Sequence, residues 1–318
     1  RYRSSAASDV YKRQLSTPNG RQLDRALASL DFMVSIDFYI NETTRHAHII
    51  LPPTSPLERD HYDIIFHVLA VRNTAKYSPP LFDPPPGALH DWQITLELEK
   101  RLTKGVGKRM EQAVRGMLKP AGLLDYAIRT GPHGGWLSGL SLSQLKKNPH
   151  GVDLGPLTPV LPERLFTEDG CIHLAPQLYL DDLPRLKAFM EAGPPLGFAL
   201  IGRRHLRSNN SWLHNSERLV RGKPRCTLLV HPDDASRIGL SDGGEARVRS
   251  RVGEVVAPVE VSDEIMPGVV SLPHGWGHGR QGVRLKVAAA HAGVSLNDLT
   301  DELRVDTCLL YTSDAADD

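Results

Sequence analysis

Cys226-Thr227-Leu228-Leu229-Val230-His231-Pro232-Asp233-Asp234-Ala235 is the stretch on which the fold turns. A run of strand length stops at His231, and Pro232 then opens a short helix with Asp233 and Asp234 set against its positive end. Gly239 is placed to end that helix. Downstream, Ala246-Arg247-Val248-Arg249-Ser250-Arg251-Val252 alternates with period two, Gly253 turns the chain, and Glu254 to Val261 returns, giving a hairpin with one basic face. Pro267-Gly268 makes a further turn before Val269-Val270-Ser271-Leu272. Upstream, Phe198-Ala199-Leu200-Ile201-Gly202 reads as a buried strand. Short strands joined by Gly and Pro turns point to a barrel over this part of the chain.

The amino-terminal part reads differently. Leu23, Ala26, Leu27 and Leu30 recur at helical spacing before Phe32-Met33-Val34-Ser35-Ile36, a run expected to form a buried strand that stops at Asp37. After Thr43 and Thr44, His48-Ile49-Ile50-Leu51 reads as a second strand, closed by Pro52 and Pro53, which cannot continue a ladder. Strand, short helix and strand in quick succession predict parallel α/β packing. Residues 79–87, rich in proline, form a loop. Asp91 is expected to cap a helix running to Leu102. Residues 105–160 hold an amphipathic stretch from Met110 to Ile128 but otherwise read as weakly organised.

At 318 residues the chain is long enough for about two domains with real cores. Its 38 Lys and Arg against 37 Asp and Glu leave a net charge of +1, so no global field draws it to nucleic acid or to an anionic membrane. No apolar run approaches the length of a spanning helix, so no membrane insertion is expected. Cys171, Cys226 and Cys308 are widely spaced and odd in number, which fits a reducing compartment, and a cytoplasmic location is expected. The opening residues 1–14 and the closing residues about 307–318 resemble translated adapter sequence and read as artefactual tails on an internal piece of a longer protein, with a pair of native loose tails as the plainer alternative.

Three constellations carry chemistry. The first is Asp37, Asn41, Glu42, Thr43, Thr44, Arg45, His46 and His48, with Glu58, Arg59, Asp60, His61 and Asp63 beyond it. In an open parallel sheet ligands sit past the carboxyl ends of strands, where Asp37 lies, and a carboxylate there accepts from guanine or ribose donors. Asp37 serves equally well as a cap on its own turn. The second runs from Gly202 to Asn215 and concentrates Arg203, Arg204, Arg207, Ser208, Asn209, Asn210, Ser211, His214 and Asn215 after an apolar strand, a donor density suited to an extended anionic ligand. A solvated loop is the plainer alternative, and Trp212 argues against it because indole is costly to leave in water. The third is His274-Gly275-Trp276-Gly277-His278-Gly279-Arg280, whose glycines let backbone N–H groups approach a ligand closely, although it also reads as a tight aromatic-filled turn. Asn297 follows, with an amide able to donate and accept toward a heterocycle.

Taken together, Ser35-Ile36-Asp37-Phe38-Tyr39-Ile40-Asn41-Glu42-Thr43, His46-Ala47-His48-Ile49-Ile50-Leu51-Pro52 and Glu58 resemble a segment of the molybdopterin-guanine-dinucleotide oxidoreductases. That is the family of dimethyl sulfoxide reductase, formate dehydrogenase and nitrate reductase type. His231-Pro232-Asp233-Asp234-Ala235, Gly239-Leu240, Gly243, Val248-Arg249-Ser250-Arg251, Pro267-Gly268 and Leu296-Asn297-Asp298-Leu299-Thr300 are similar to its dinucleotide-binding domain. His48 stands where the family usually has Asp, and His46 is atypical of its better-known members. The resemblance implies an α/β chain, with a partial three-layer α/β domain over residues 15–104, a partly helical linking region over 105–194 and a double-psi β-barrel dinucleotide-binding domain over 195–306.

It further implies two molybdopterin guanine dinucleotides holding molybdenum or tungsten, an iron-sulfur cluster upstream of this chain, a small-molecule substrate and an electron-transfer subunit. On that mapping Asp37 and Thr43 hold one nucleotide end. Arg203, Ser208, Asn209, Asn210, His214 and Asn215 surround the other pterin and its phosphates, with His274, Trp276 and Asn297 at the pterin edge. No catalytic residue and no metal ligand falls within this chain, which is expected to be inactive alone. Two other readings compete: a noncatalytic barrel that binds a partner, and a metal-dependent hydrolase built on His46, His48, Glu58, His61 and Asp63.

Overall fold

A computed structural model describes residues 13–193 and 197–304. The expectations for residues 1–12, for Cys308 and for the closing tail therefore lie outside the described residues. The chain divides into two units, one of Arg1–Leu51 with Leu174–Asp318 and one of Pro52–His173.

In the first unit a helix over Gly20–Ala28 starts at Asn19, whose left-handed backbone (φ 51°) lets its side chain accept from the Gln22 N–H at 3.1 Å. Strand β1 (Val34–Ile36) then pairs in parallel with β2 (Ile49–Leu51), Val34 opposite Ile49, across a short 3-10 turn at Thr44–His46. The parallel pairing is as expected, but the first strand is only partly buried: Ser35 is enclosed while Val34 is 36% exposed, and Ile49 of the second strand is 46% exposed. Only these two strands pair in this sheet among the described residues.

In the second unit β3 (His61–Tyr62) runs antiparallel to β5 (Tyr77–Ser78), and β4 (Asn73–Ala75) antiparallel to β6 (Val152–Gly155). The helix over Asp91–Leu102 is capped by His90 rather than Asp91, because the Gln93 side chain reaches back to the His90 N–H at 2.8 Å. Asp91 sits in the first turn, paired with Arg59 at 2.6 Å. A long helical segment, Val106–Thr130, breaks at Lys119 (φ 56°), since Pro120 excludes helical geometry from the residue before it. Residues 105–160 are better organised than their sequence suggests. Ile128, Leu140, Leu142 and Leu145 join Ala75 and Tyr77 in one core, partners too distant along the chain for local periodicity to reveal.

Back in the first unit, β7 (Ala199–Arg203), β8 (Leu228–Val230), β9 (Glu245–Arg249), β10 (Glu254–Val261) and β11 (Val269–Pro273) form a five-stranded mixed sheet in the order β7-β11-β8-β10-β9. Strand β11 runs parallel to β7 and antiparallel to β8; β10 runs parallel to β8 and antiparallel to β9. The chain is thus mixed α/β. No pairing joins β7 to β9 among the described residues, so the expected barrel is not closed there. Turn chemistry predicts how many short strands a segment holds; closure depends on tilt and stagger, which turns do not encode.

The core of this sheet is Leu228, Val230, Ala257, Val259, Val270 and Leu272, covered by Leu296 and Leu299. Leu272 is fully enclosed, and Leu272→Ala is expected to cost about 2–5 kcal/mol, read as a lower midpoint in chemical denaturation. Trp212, by contrast, is 54% exposed, against the expectation that it would be sheltered.

The helix at Pro232–Ile238 has proline in its first turn and ends on Gly239 in the left-handed region, as its sequence indicates. Asp234 fastens it: one carboxylate oxygen takes the Arg237 guanidinium and the other the Gly268 N–H, each at 2.6 Å. The Arg237 bond, then the Gly268 bond, hold this carboxyl below its usual 3.8. A lowered folded-state value contributes stability that is present above 3.8 and lost as the pH falls through and below it. Asp234→Asn is therefore expected to lower stability at neutral pH and to flatten the acid limb of a denaturation profile; an acid limb as steep as in the parent would contradict it.

Candidate cofactor site

Strand β7 delivers Arg203 to its carboxyl end. There the guanidinium donates to the Ser271 carbonyl at 2.6 Å, to the Thr227 carbonyl at 2.7 Å and to the Thr227 hydroxyl at 2.8 Å. Arg203 thereby ties β7 to β11 and to the approach of β8, and burial pushes its pKa down.

The chain then enters a run of turns. Asn209 and Asn210 both have left-handed backbones (φ 40° and 60°), a conformation that a short polar side chain tolerates. The Arg204 guanidinium donates to the Asn210 side-chain oxygen. Ser208 is buried, and its carbonyl accepts from the Leu213 N–H at 3.1 Å. Asn215 accepts from the Val287 and Ala288 N–H groups at 3.1 and 3.3 Å, anchoring the helix over Lys286–Ala290.

Residues 274–278 lie against these turns. His274 donates its N–H to the Arg203 carbonyl at 3.0 Å, and its Nε2 lies 3.3 Å from the Ser16 hydroxyl. Gly275 is the point of closest approach: its φ is +84°, and a Cβ there would lie 2.3 Å from the Asn210 carbonyl oxygen. Trp276 is buried and stacks on His214 with ring centroids 4.0 Å apart. His214 Nδ1 lies 2.9 Å from His278 Nε2, and His278 Nδ1 lies 2.7 Å from a carboxylate oxygen of Glu42. All three side chains of this line are buried. Burial first, and the neighbouring His278 second, push the His214 pKa down to about 3, partly offset by the Gly275 backbone.

Other expected residues are engaged within the protein. Asp37 accepts from the Tyr39 N–H at 2.9 Å and the Asn41 amide at 2.8 Å, which makes it the organiser of its own turn. Thr43 is buried in the same turn, its N–H held by Asn41 at 3.0 Å. Asn297 donates to the Leu15 carbonyl at 2.7 Å and accepts from the Thr300 hydroxyl at 2.8 Å. The structure thus gathers Asn210, His214, His274 and Trp276, while Arg203, Asn215 and Asn297 brace the framework around them. Glu42, from the first constellation, and His278, from the third, complete the line to His214, a contact that neither stretch announces on its own. Two histidines four residues apart, or 64 apart as His214 and His278 are, carry no local signal of contact.

The hydrolase reading finds no support. Among the described residues no three His, Cys, Asp or Glu side chains gather to hold a metal ion. His46 is held by Asp24 at 2.7 Å, Glu58 closes the capping box of Ser55, and Asp63 accepts from the Ile65 and Phe66 N–H groups at its own turn.

Several buried polar atoms in this region lack a partner: Trp276 Nε1, His214 Nε2, and the Ser271 and Ser295 hydroxyls. Orphaned polar atoms in an interior cost about 1–3 kcal/mol each, and such groups mark a missing partner or a functional role. An indole donor, an imidazole nitrogen and two hydroxyls, beside a glycine turn that brings backbone close, fit a polar heteroaromatic ligand such as a pterin dinucleotide.

Residues 198–308 match the family described as Molydopterin dinucleotide binding domain. The chain is 28% identical over 280 residues to the dimethyl sulfoxide/trimethylamine N-oxide reductase of Rhodobacter capsulatus, covering 79% of this chain and 33% of that protein. It is 25% identical over 287 residues to the assimilatory nitrate reductase catalytic subunit of Bacillus subtilis (strain 168), covering 82% and 36%. Its fold is similar to that of the acetylene hydratase from Pelobacter acetylenicus, with a TM-score of 0.67 and 16% identity over 93% of this chain and 41% of that one. These matches bear out the resemblance: the chain is similar to molybdopterin oxidoreductases of dimethyl sulfoxide reductase and nitrate reductase type. It spans about a third of the length of the curated relatives it matches. Among the described residues no helix is long and apolar enough to cross a membrane.

Proposed function

We propose that this chain is the cofactor-cradling portion of a molybdopterin-dependent oxidoreductase. The observation that carries the reading is the set of buried, unpartnered polar atoms of Trp276 and His214 inside the stretch that matches a dinucleotide-binding domain. On this reading residues 195–306 are the dinucleotide-binding domain, residues 15–104 part of an α/β domain, and residues 105–194 the region that links them.

Trp276 donates from Nε1 to the pterin, and His214 offers its ring beside it. The left-handed turn at Asn209 and Asn210, with Ser208, supplies polar groups toward the phosphates, and Arg203, Asn215, His274 and Asn297 hold that turn and the glycine loop in register. Asp37 and Thr43 shape the seat of the second nucleotide. When bound, the pterin-held molybdenum or tungsten supplies two-electron redox chemistry, and the protein's part is to place and tune it. The iron-sulfur cluster, the metal ligand, the small-molecule substrate site and the electron-transfer contact belong to the rest of a longer, cytoplasmic protein.

Two measurements test this reading on the complete protein. Dye-linked assays should show reduced viologen oxidised by an oxo-acceptor, or a dye reduced by formate; no turnover with either class, in protein that carries the pterin, would remove the oxidoreductase assignment. Trp276→Phe keeps the aromatic stack and removes the indole N–H. It is expected to lower retention of guanine nucleotide about tenfold, the effect of one buried hydrogen bond; unchanged retention would take Trp276 out of the site.

A further inference from the structure

Glu42, His278 and His214 form a continuous buried line of hydrogen-bonding atoms that ends on an unpartnered ring nitrogen under Trp276. We propose that this line is a proton relay, in which a proton arriving at His214 Nε2 is answered by transfer of the His214 Nδ1 proton to His278, where Glu42 faces the resulting charge. The pterin reading enters only as the identity of the ligand that the relay serves.

The hydrogen-bond roles fix the two states. With Glu42 ionised and both rings neutral, Glu42 accepts from His278 Nδ1–H, so His278 Nε2 must accept and His214 Nδ1 must donate. His214 Nε2 is then the open lone pair. An N–H or O–H acid seated against the His214–Trp276 stack supplies the incoming proton. An N–H bond forms at His214 Nε2, the Nδ1–H bond of His214 breaks, and that proton forms an N–H bond at His278 Nε2. One proton is added, no electrons move, and the positive charge lies on His278, 2.7 Å from the Glu42 carboxylate.

His214 is neutral in both states, as its surroundings require. Burial and the His278, Arg225 and His205 charges all oppose a charge on it, and only the Gly275 backbone favours one. Such a ring is unable to store a proton as imidazolium but is able to pass one through. The other charged groups nearby are answered. Arg45, whose Nε donates to the Glu42 carbonyl at 3.1 Å, pairs with Asp24 together with His46, and Arg280 pairs with Asp298 at 2.7 Å. Glu42 and His278 act through His214 and are positioning residues.

Long-range proton–nitrogen NMR of the complete protein carrying nitrogen-15 histidine reads the tautomers directly. On acidification His214 is expected to keep a single protonated nitrogen that changes from Nδ1 to Nε2, while His278 gains a second N–H. A His214 that holds Nδ1–H throughout, or that becomes doubly protonated, overturns the relay. In Glu42→Gln the cation at His278 loses the carboxylate that faces it, so the exchange is expected to be displaced toward lower pH; an exchange unmoved by the substitution also overturns it. Should that variant fail to fold, the titration of the parent protein decides alone. Guanine nucleotide released from the same samples separates the two ideas: a tautomer exchange without nucleotide removes the pterin reading only, and nucleotide with a fixed tautomer removes the relay only.

Discussion

Trp276→Ala is expected to destabilise the protein by about 3–5 kcal/mol, the range for emptying a buried tryptophan site. The indole is 5% exposed, lies on the His214 ring at 4.0 Å, and closes over Gly293, where even an added Cβ would stand 3.1 Å from the indole edge. Neighbours packed this closely have little room to collapse into the space. A second effect carries a sign of its own. In the parent protein the folded-state pKa of His214, about 3, lies below its ordinary 6.5, so the unfolded chain binds more protons and stability is lost as the pH falls from 6.5 toward 3. Opening the site to water removes much of the burial that depresses this value. The stability gap between parent and variant should therefore narrow as the pH is lowered from neutral toward about 4. Denaturant titrations of both proteins at two pH values check this, and a gap that widens on acidification would contradict it.

Gly275→Ala is the other severe change. The new Cβ would stand 2.3 Å from the Asn210 carbonyl oxygen and 2.6 Å from its carbon, on a backbone with φ +84°. Both obstacles are backbone, so no side-chain rotation relieves them. Left-handed backbone in a non-glycine residue costs about 1–3 kcal/mol and overpacking about as much again, so a loss of about 2–6 kcal/mol is expected. Guanine nucleotide retention should fall with it, because the shift that relieves the contact separates the 209–210 turn from Trp276. Gly268→Ala is the control: its φ is +80°, but an added Cβ meets nothing within 4 Å. If the two alanine variants lose equal stability, the close approach at Gly275 carries no weight beyond its φ.

What is legible in the chain and what is not divide along physical lines. Features fixed by neighbours in the chain were legible: the proline-started, glycine-ended helix at Pro232–Ile238, the β9–β10 hairpin around Gly253, and the parallel pairing of β1 with β2. Features fixed by distant partners were not. Leu145 is fully buried in a core it shares with the distant Ala75 and Tyr77, and the cap expected of Asp91 falls to His90 through the reach of Gln93. The site shows the same division. His214 and Trp276 stood out as polar and aromatic residues in glycine- and asparagine-rich turns. Nothing in the chain near His278 announces Glu42, 236 positions away. Arg203 and Asn297 have the chemistry of ligand donors, and their bonds to the carbonyls of Ser271, Thr227 and Leu15 are made with partners too distant along the chain to be read from it.

The most direct test of the account is the guanine nucleotide and pterin released by acid from the complete protein, produced in a host that makes the cofactor and quantified per polypeptide. The account predicts stoichiometric pterin dinucleotide, sharply reduced in Gly275→Ala. Protein that is folded yet carries neither pterin nor guanine nucleotide, from a host that loads another molybdopterin enzyme, would contradict it.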